Sequence, residues 1–186
     1  TIGGGHLELQ AIADARALLA GGGAAFERHV ALGPSLGQCC GGALDLRRTT
    51  EDWIAADPDP ATRAELQALL DAGDEAALAD RMGGTLAFGT AGIRGRVEAG
   101  SNRMNRAVII RTTRGLADFR RAMRPGPAPV VVGFDGRLSS LTFAADTVGV
   151  LAAAGIPVWY FPEVAPTPLV AYAARVLGAT AAVVVT

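Results

Sequence analysis

The period of apolar and polar positions changes near residue 50, and the change marks out a series of elements. Before it, one amphipathic run from about His6 to Ala20 predicts a helix among three glycine clusters, Gly3-Gly4-Gly5, Gly21-Gly22-Gly23 and Gly41-Gly42. After it the punctuation becomes regular. Asp59 predicts a helix cap, and Pro60 suits the first helical turn because its missing N–H is not needed there. Leu66, Leu69 and Leu70 then share one apolar face, and the helix is expected to end near Gly73. Asp74 predicts a second cap with a short helix through Met82, and Thr85-Leu86-Ala87-Phe88 reads as a strand-like run.

Farther on, helical and strand periods alternate. Ile109, Thr112, Leu116, Phe119 and Met123 step by three or four residues and predict a packing helix with those side chains inward. The prolines between Pro125 and Pro129 break it, and Val130-Val131-Val132-Gly133-Phe134 predicts a strand covered on both faces. Ser139 or Ser140 is expected to cap a helix that turns Phe143, Thr147, Val150, Leu151 and Ala154 inward, with Gly155 in a left-handed position beyond its end. Residues 158–161 predict a strand. Pro166-Thr167-Pro168 opens a helix with Leu169, Ala173, Val176 and Leu177 on one side, Gly178 closes it, and residues 181–185 predict a last buried strand.

Strand and helix in this alternation imply an α/β fold, a layered domain with helices on both faces of a mixed, largely parallel sheet. Function in such sheets gathers in loops beyond the carboxyl ends of the strands. Residues 89–96, 135–140 and 164–168 qualify, and a fourth loop would follow Thr186, so the domain is expected to be truncated at its carboxyl end.

Composition narrows the functional classes. At 50% hydrophobic the chain has enough apolar material for a core, and 17 basic against 18 acidic residues leave a net charge of -1. No whole-molecule field draws it to polyanions, so neither nucleic acid nor a membrane surface is expected as a partner. Every basic residue is Arg, which suits phosphate because its planar fork donates paired hydrogen bonds; a compositional bias that also enriches Ala and Gly produces the same pattern. Cys39 and Cys40 are adjacent, poor geometry for an ordinary disulfide, which fits a reducing cytoplasm. The most apolar stretch, residues 147–161, is interrupted by Gly155 and Pro157 and falls short of the about 20 apolar residues a spanning helix needs. Thr1 opens without a cationic, apolar leader, so a cytoplasmic protein with both ends cut is expected.

Two loops carry candidate chemistry. Phe88-Gly89-Thr90-Ala91-Gly92-Ile93-Arg94-Gly95-Arg96 combines glycines, a hydroxyl and two guanidiniums, a set that lets backbone N–H groups and an Arg fork approach an anion; a glycine-rich turn with a solvated Arg has the same composition. Asp135-Gly136-Arg137-Leu138-Ser139-Ser140 reads on spacing as a loop ion pair followed by a helix cap.

Taken together and in this order, with Trp53, Asp57-Pro58-Asp59-Pro60, Asn102-Arg103-Met104-Asn105 and Pro166-Thr167-Pro168 around them, residues 53–186 resemble the first domain of the α-D-phosphohexomutase family, the phosphoglucomutases and phosphomannomutases. The resemblance implies a four-domain enzyme that moves a phosphoryl group between the 1- and 6-positions of a hexose phosphate through a phosphoserine and a bisphosphate intermediate. It implies a hexose phosphate substrate, a hexose bisphosphate activator, and Mg2+ held by ligands outside this chain. Arg94 would face the phosphoserine as the catalytic residue, Thr90 and Gly92 would shape the phosphate-binding loop, and Arg137 would either brace the loops or touch phosphate. The phosphoserine loop would follow Thr186, and no serine present here replaces it; the isolated chain is therefore expected to be inactive. No metal ligand is assigned within the chain.

Residues 1–50 are a different matter. Thr1 to Glu8, Ala13 to Leu19 and the Leu36-Gly37-Gln38-Cys39-Cys40-Gly41-Gly42 string resemble part of the amino-terminal region of the XdhC/CoxI family, over about residues 1–48. That resemblance implies an alternative function as a molybdenum-cofactor accessory protein for xanthine dehydrogenase, in which Cys39 and Cys40 either present a soft thiolate or are inert and buried. Residues 1–50 are accordingly expected to contribute little to the core of residues 51–186.

Overall fold

The computed structural model describes residues 41–90, 92–123 and 125–186, with side chains from residue 46 onward. The helix expected over residues 6–20 and the cysteine pair lie outside the described residues.

Three helices come first: α1 (Gly41–Ala56), α2 (Pro60–Ala72) and α3 (Glu75–Met82). Local signals set the boundaries of the latter two. The Asp59 side chain accepts from the Ala61 N–H, Pro60 occupies the first turn, and Gly73 ends α2 at φ 66. Asp74 caps α3 by accepting from Ala77 N. Trp53 of α1, Leu66 and Leu70 of α2, and Leu78 and Met82 of α3 bury one another together with Ala107 and Val108, and Leu46, Ile54, Leu69 and Leu86 pack around them. Helix α1 runs unbroken through residue 50, and Thr50 is wholly buried with its hydroxyl donating to Leu46 O at 2.8 Å. Leu46 and Thr50 thus join this core, whereas the resemblance of residues 1–50 to a separate family implied that they would contribute little to it.

Residues 85–88 do not make a strand of their own. Pairing is limited to β1 (Phe88–Gly89) and β2 (Gly92–Ile93), an antiparallel ladder that matches Phe88 with Ile93 and Gly89 with Gly92. So short a hairpin stabilises itself poorly, and the anchors at its base decide where it sits.

Then come α4 (Arg106–Met123), β3 (Val130–Phe134), α5 (Ser140–Ala153), β4 (Val158–Tyr160), α6 (Thr167–Val176) and β5 (Ala181–Val185). The three strands form a parallel sheet in the order β4-β3-β5, with Val132 level with Tyr160 on one side and Val183 on the other. All of β3 is buried. Val130, Val132 and Phe134 face Ala144 and Leu151 of α5 and Ala117 of α4, while Val131 faces Val170 of α6 and Ala165. Helices therefore cover both faces of a parallel sheet, the layered α/β arrangement expected from the alternation.

Several inward faces differ from the periodicity. On α4 the buried positions are Ala107, Val108, Thr113, Ala117 and Arg120, whereas Phe119 and Met123 are exposed. The helix lies against α5, where small residues permit close approach, and its larger side chains Ile109, Thr112 and Leu116 line an open cleft instead. On α6, Val170 is buried while Leu169, Val176 and Leu177 are exposed, because the side meeting the sheet carries Val170, Ala173 and Ala174. Strand β5 is an edge strand that is only partly covered, not a buried one. Neither serine caps α5 through its side chain: Ser139 stands at the cap position without such a bond, and the Ser140 hydroxyl donates to Asp135 Oδ1 at 2.7 Å. Gly155 takes the expected left-handed conformation, φ 70.

Candidate functional site

The carboxyl ends of β3 and β5 and the β1–β2 hairpin open onto one cleft of about 840 Å³. Hairpin residues Gly92, Ile93, Arg94 and Gly95 form one wall, Arg137, Ser139 and Ser140 of the loop after β3 form another, and Thr167 and Thr186 close the strand end. Its floor is apolar, from Val108, Ile109 and Leu116 of α4 and Val183 and Val185 of β5. A polar, arginine-bearing rim over an apolar floor at the carboxyl end of a parallel sheet is where this class of fold places its ligands.

The hairpin owes its course to glycine at one point. Gly92 has φ 85, a left-handed conformation that a side chain resists, and it turns the chain so that Arg94 follows directly after the ladder. Arg94 is exposed on the cleft wall and makes no side-chain hydrogen bond or ion pair among the described residues. Such a guanidinium keeps its whole fork available for an anion. Thr90 sits exposed in the turn at the hairpin tip and is not among the cleft-lining residues.

Arg137 lines the opposite wall, but its Nε pairs with Asp135 Oδ2 at 3.0 Å and its backbone N–H donates to Asp135 Oδ1 at 3.1 Å. The Ser140 hydroxyl, the Arg137 N–H and the Arg137 charge together hold the Asp135 carboxyl below its ordinary range. The loop after β3 is thus closed on itself around Asp135, as its spacing suggested, and Arg137 remains among the residues that line the cleft.

Residues 96–105, which follow Arg94 in the chain, form an arm that is bound to the helical layer. Met104 N donates to Arg96 O at 2.8 Å, and Asn105 Nδ2 donates to Glu98 O at 3.0 Å and Gly100 O at 2.7 Å. Ala99 N donates to Glu65 Oε2 of α2 at 3.1 Å. The buried Arg103 joins Glu98 Oε2 at 2.8 Å, Asp80 O at 3.2 Å and the Asp80 carboxylate. Periodicity could not find this network, whose members come from distant parts of the chain. One signal was available: Asn105 immediately precedes the periodic run of α4 and accepts from Val108 N at 3.0 Å, as a helix cap does.

The hydrogen bond from Arg103 depresses the Glu98 carboxyl, with the nearby charges of Arg81, Arg103 and Arg96 adding to it and partial burial opposing. A carboxyl with a lower pKa in the folded state contributes stability above its ordinary value near 4.5, and that contribution is lost as pH falls through the depressed value. A carboxyl-detected NMR titration should therefore place the Glu98 midpoint below 4.5, with the Ala99 and Asn105 amides shifting in the same window. A midpoint at or above 4.5 would show that Arg103 does not hold Glu98 in solution.

Among the described residues no three His, Cys, Asp or Glu side chains gather as a metal would require, and no helix is long and apolar enough to cross a membrane.

Residues 85–186 match the family model described as phosphoglucomutase/phosphomannomutase, alpha/beta/alpha domain I. The phosphoribomutase of Saccharomyces cerevisiae is 36% identical over 145 residues, covering 76% of this chain and 23% of that protein. Human glucose 1,6-bisphosphate synthase is 34% identical over 148 residues, 72% of this chain and 23% of its own length. A probable phosphomannomutase of Haemophilus influenzae is 39% identical over 83 residues, 45% of this chain and 17% of its length. The chain spans about a quarter of the curated relatives it matches at greatest length. No solved structure matches it. These matches lend no support to the resemblance of residues 1–48 to XdhC/CoxI proteins.

Proposed function

The chain belongs to the phosphoglucomutase/phosphomannomutase family, and from that premise we propose that it supplies the phosphoryl-handling first domain of a sugar-phosphate mutase. The observation that carries this reading is the convergence of Arg94, Arg137 and Thr186 on one cleft at the carboxyl ends of parallel strands. Phosphoryl transfer asks a protein mainly for alignment and for fixed positive charge around the moving group. In the proposed reaction a phosphoserine in the loop that would follow Thr186 gives its phosphoryl to a hexose or pentose phosphate. The resulting bisphosphate reorients in the cleft and returns its other phosphoryl to the serine. Arg94 steadies the oxygens in flight, Gly92 sets the approach of the hairpin, and Arg137 holds the facing loop through Asp135.

Mg2+, which would neutralise phosphoryl charge, is proposed to take its ligands from outside these residues, and a sugar bisphosphate to prime the serine. The 186-residue chain alone is then expected to be inactive. A chimera tests this: residues 41–186 replace the matching part of the Saccharomyces cerevisiae phosphoribomutase, and turnover of ribose 1-phosphate is followed with Mg2+ and bisphosphate. The chimera should turn over while the isolated chain does not. A folded chimera without turnover would remove the reading.

A further inference from the structure

We propose that Arg103 is a positioning residue for Arg94: it clamps the arm of residues 96–105 to α3 and thereby fixes the hairpin that presents the Arg94 guanidinium to the cleft. The proposal rests on the phosphoryl reading of Arg94 given above. Its grounds are geometric. The β1–β2 ladder is only two residue pairs long, Phe88 is exposed and Ile93 is only half-buried, so the hairpin has little packing of its own to hold it. Its base is held at two points. Gly95 sits against Leu86, close enough that a Cβ there would lie 2.8 Å from Leu86 Cδ1, and Leu86 packs on the helical core. Two residues past Arg94, Arg96 O accepts from Met104 N at 2.8 Å and Val97 bridges Met104.

Met104 in turn follows Arg103, whose side chain is only 7% exposed. That guanidinium donates to the Glu98 carboxylate from the same arm, and to both the carbonyl and the carboxylate of Asp80 on α3. Asn102 reinforces the attachment, with its N–H donating to Arg81 O at 2.9 Å and its Nδ2 to Asp80 O at 3.1 Å. The guanidinium itself is buried, although the Asp80 carboxylate is exposed, so giving up Glu98 or the Asp80 carbonyl would leave a buried donor unpaired, and that cost holds the arm in place. The charged helical layer thereby becomes the second support of a hairpin whose other anchor is the contact of Gly95 with Leu86, and catalytic groups need support to within about 0.5 Å.

The test uses the full chain with inorganic phosphate as the probe. Binding is read in every variant from phosphate-induced shifts of the backbone amides of residues 92–97 and 135–140, and order of the arm from residual dipolar couplings of the amides of residues 94–97. Arg103→Gln, and the milder Glu98→Gln in case the first unfolds, are each combined with Arg94→Ala. With the helices and sheet intact, the single variants should alter the couplings of Arg94 to Val97 and weaken phosphate on the order of tenfold, with no further loss in the Arg94→Ala background. Unchanged couplings overturn the proposal, as does an equal loss of affinity with and without Arg94, which would mark a merely structural role. If phosphate fails to shift the amides of residues 92–97 and 135–140 even in the parent, the phosphoryl reading fails at this site and the couplings alone decide whether Arg103 positions the hairpin.

Discussion

In the chimera described above, Arg94→Ala should lower turnover on the order of a hundredfold or more while leaving the melting temperature unchanged. Arg94 is exposed on the cleft wall and holds no partner among the described residues, so truncation removes nothing from the core. On the proposed function, what it removes is a charge-assisted donor to the phosphoryl group in transfer. Arg94→Lys keeps the charge but loses the planar fork, so it should recover only part of the rate. The fall should appear in kcat and in kcat/KM together, the pattern of an interaction made in the transition state. Near-parent turnover of Arg94→Ala would reduce the arginine to a solvated loop residue. A lowered melting temperature would make it structural.

Gly133→Ala should destabilise the fold by about 1–3 kcal/mol through overpacking at the centre of the sheet. A Cβ at this position would lie 2.4 Å from Val170 Cγ2 and 3.3 Å from Cγ1. Val170 is β-branched and stiff about χ1, and it is fully buried on α6, so it cannot swing aside. Either the helix lifts from the sheet or the strand bends, and both disturb strand ends that open on the cleft. Thermal melts of Gly133→Ala, Val170→Ala and the double variant measure this. Each single change should lower the midpoint, one by overpacking and one by leaving a cavity. The double variant should lose less than the sum, because each change relieves the other. Strict additivity would mean that the two positions do not meet.

The same contact explains why the sequence and the three-dimensional structure divide the information as they do. Signals carried by neighbouring residues were legible: Asp59 and Pro60 opening α2, Asp74 capping α3, the apolar run of β3, and Gly155 past the end of α5. Capping bonds and strand burial act over a few residues, so sequence alone determines them, and their order fixes the α/β class. The glycine-rich loop and its arginine were legible for the same reason, but not the pairing of Phe88 with Ile93 that makes the loop a hairpin.

Which face of a helix turns inward was decided by the partner. Val170 rather than Leu169 meets the sheet because Gly133 leaves room for it, and α4 buries Ala117 rather than Phe119 where it approaches α5. Residues 41–50 extend a helix whose Leu46 and Thr50 pack into the core, although their composition resembles what precedes them. Around the cleft the division is sharper. The chain names Arg94 and Arg137, but only the sheet brings them to one opening with Thr186, since loops far apart in sequence meet where parallel strands end. The attachment of Arg103 to Asp80, 23 residues away, leaves no periodic trace at all, because an ion pair across two layers depends on where the layers pack and not on the spacing of its members.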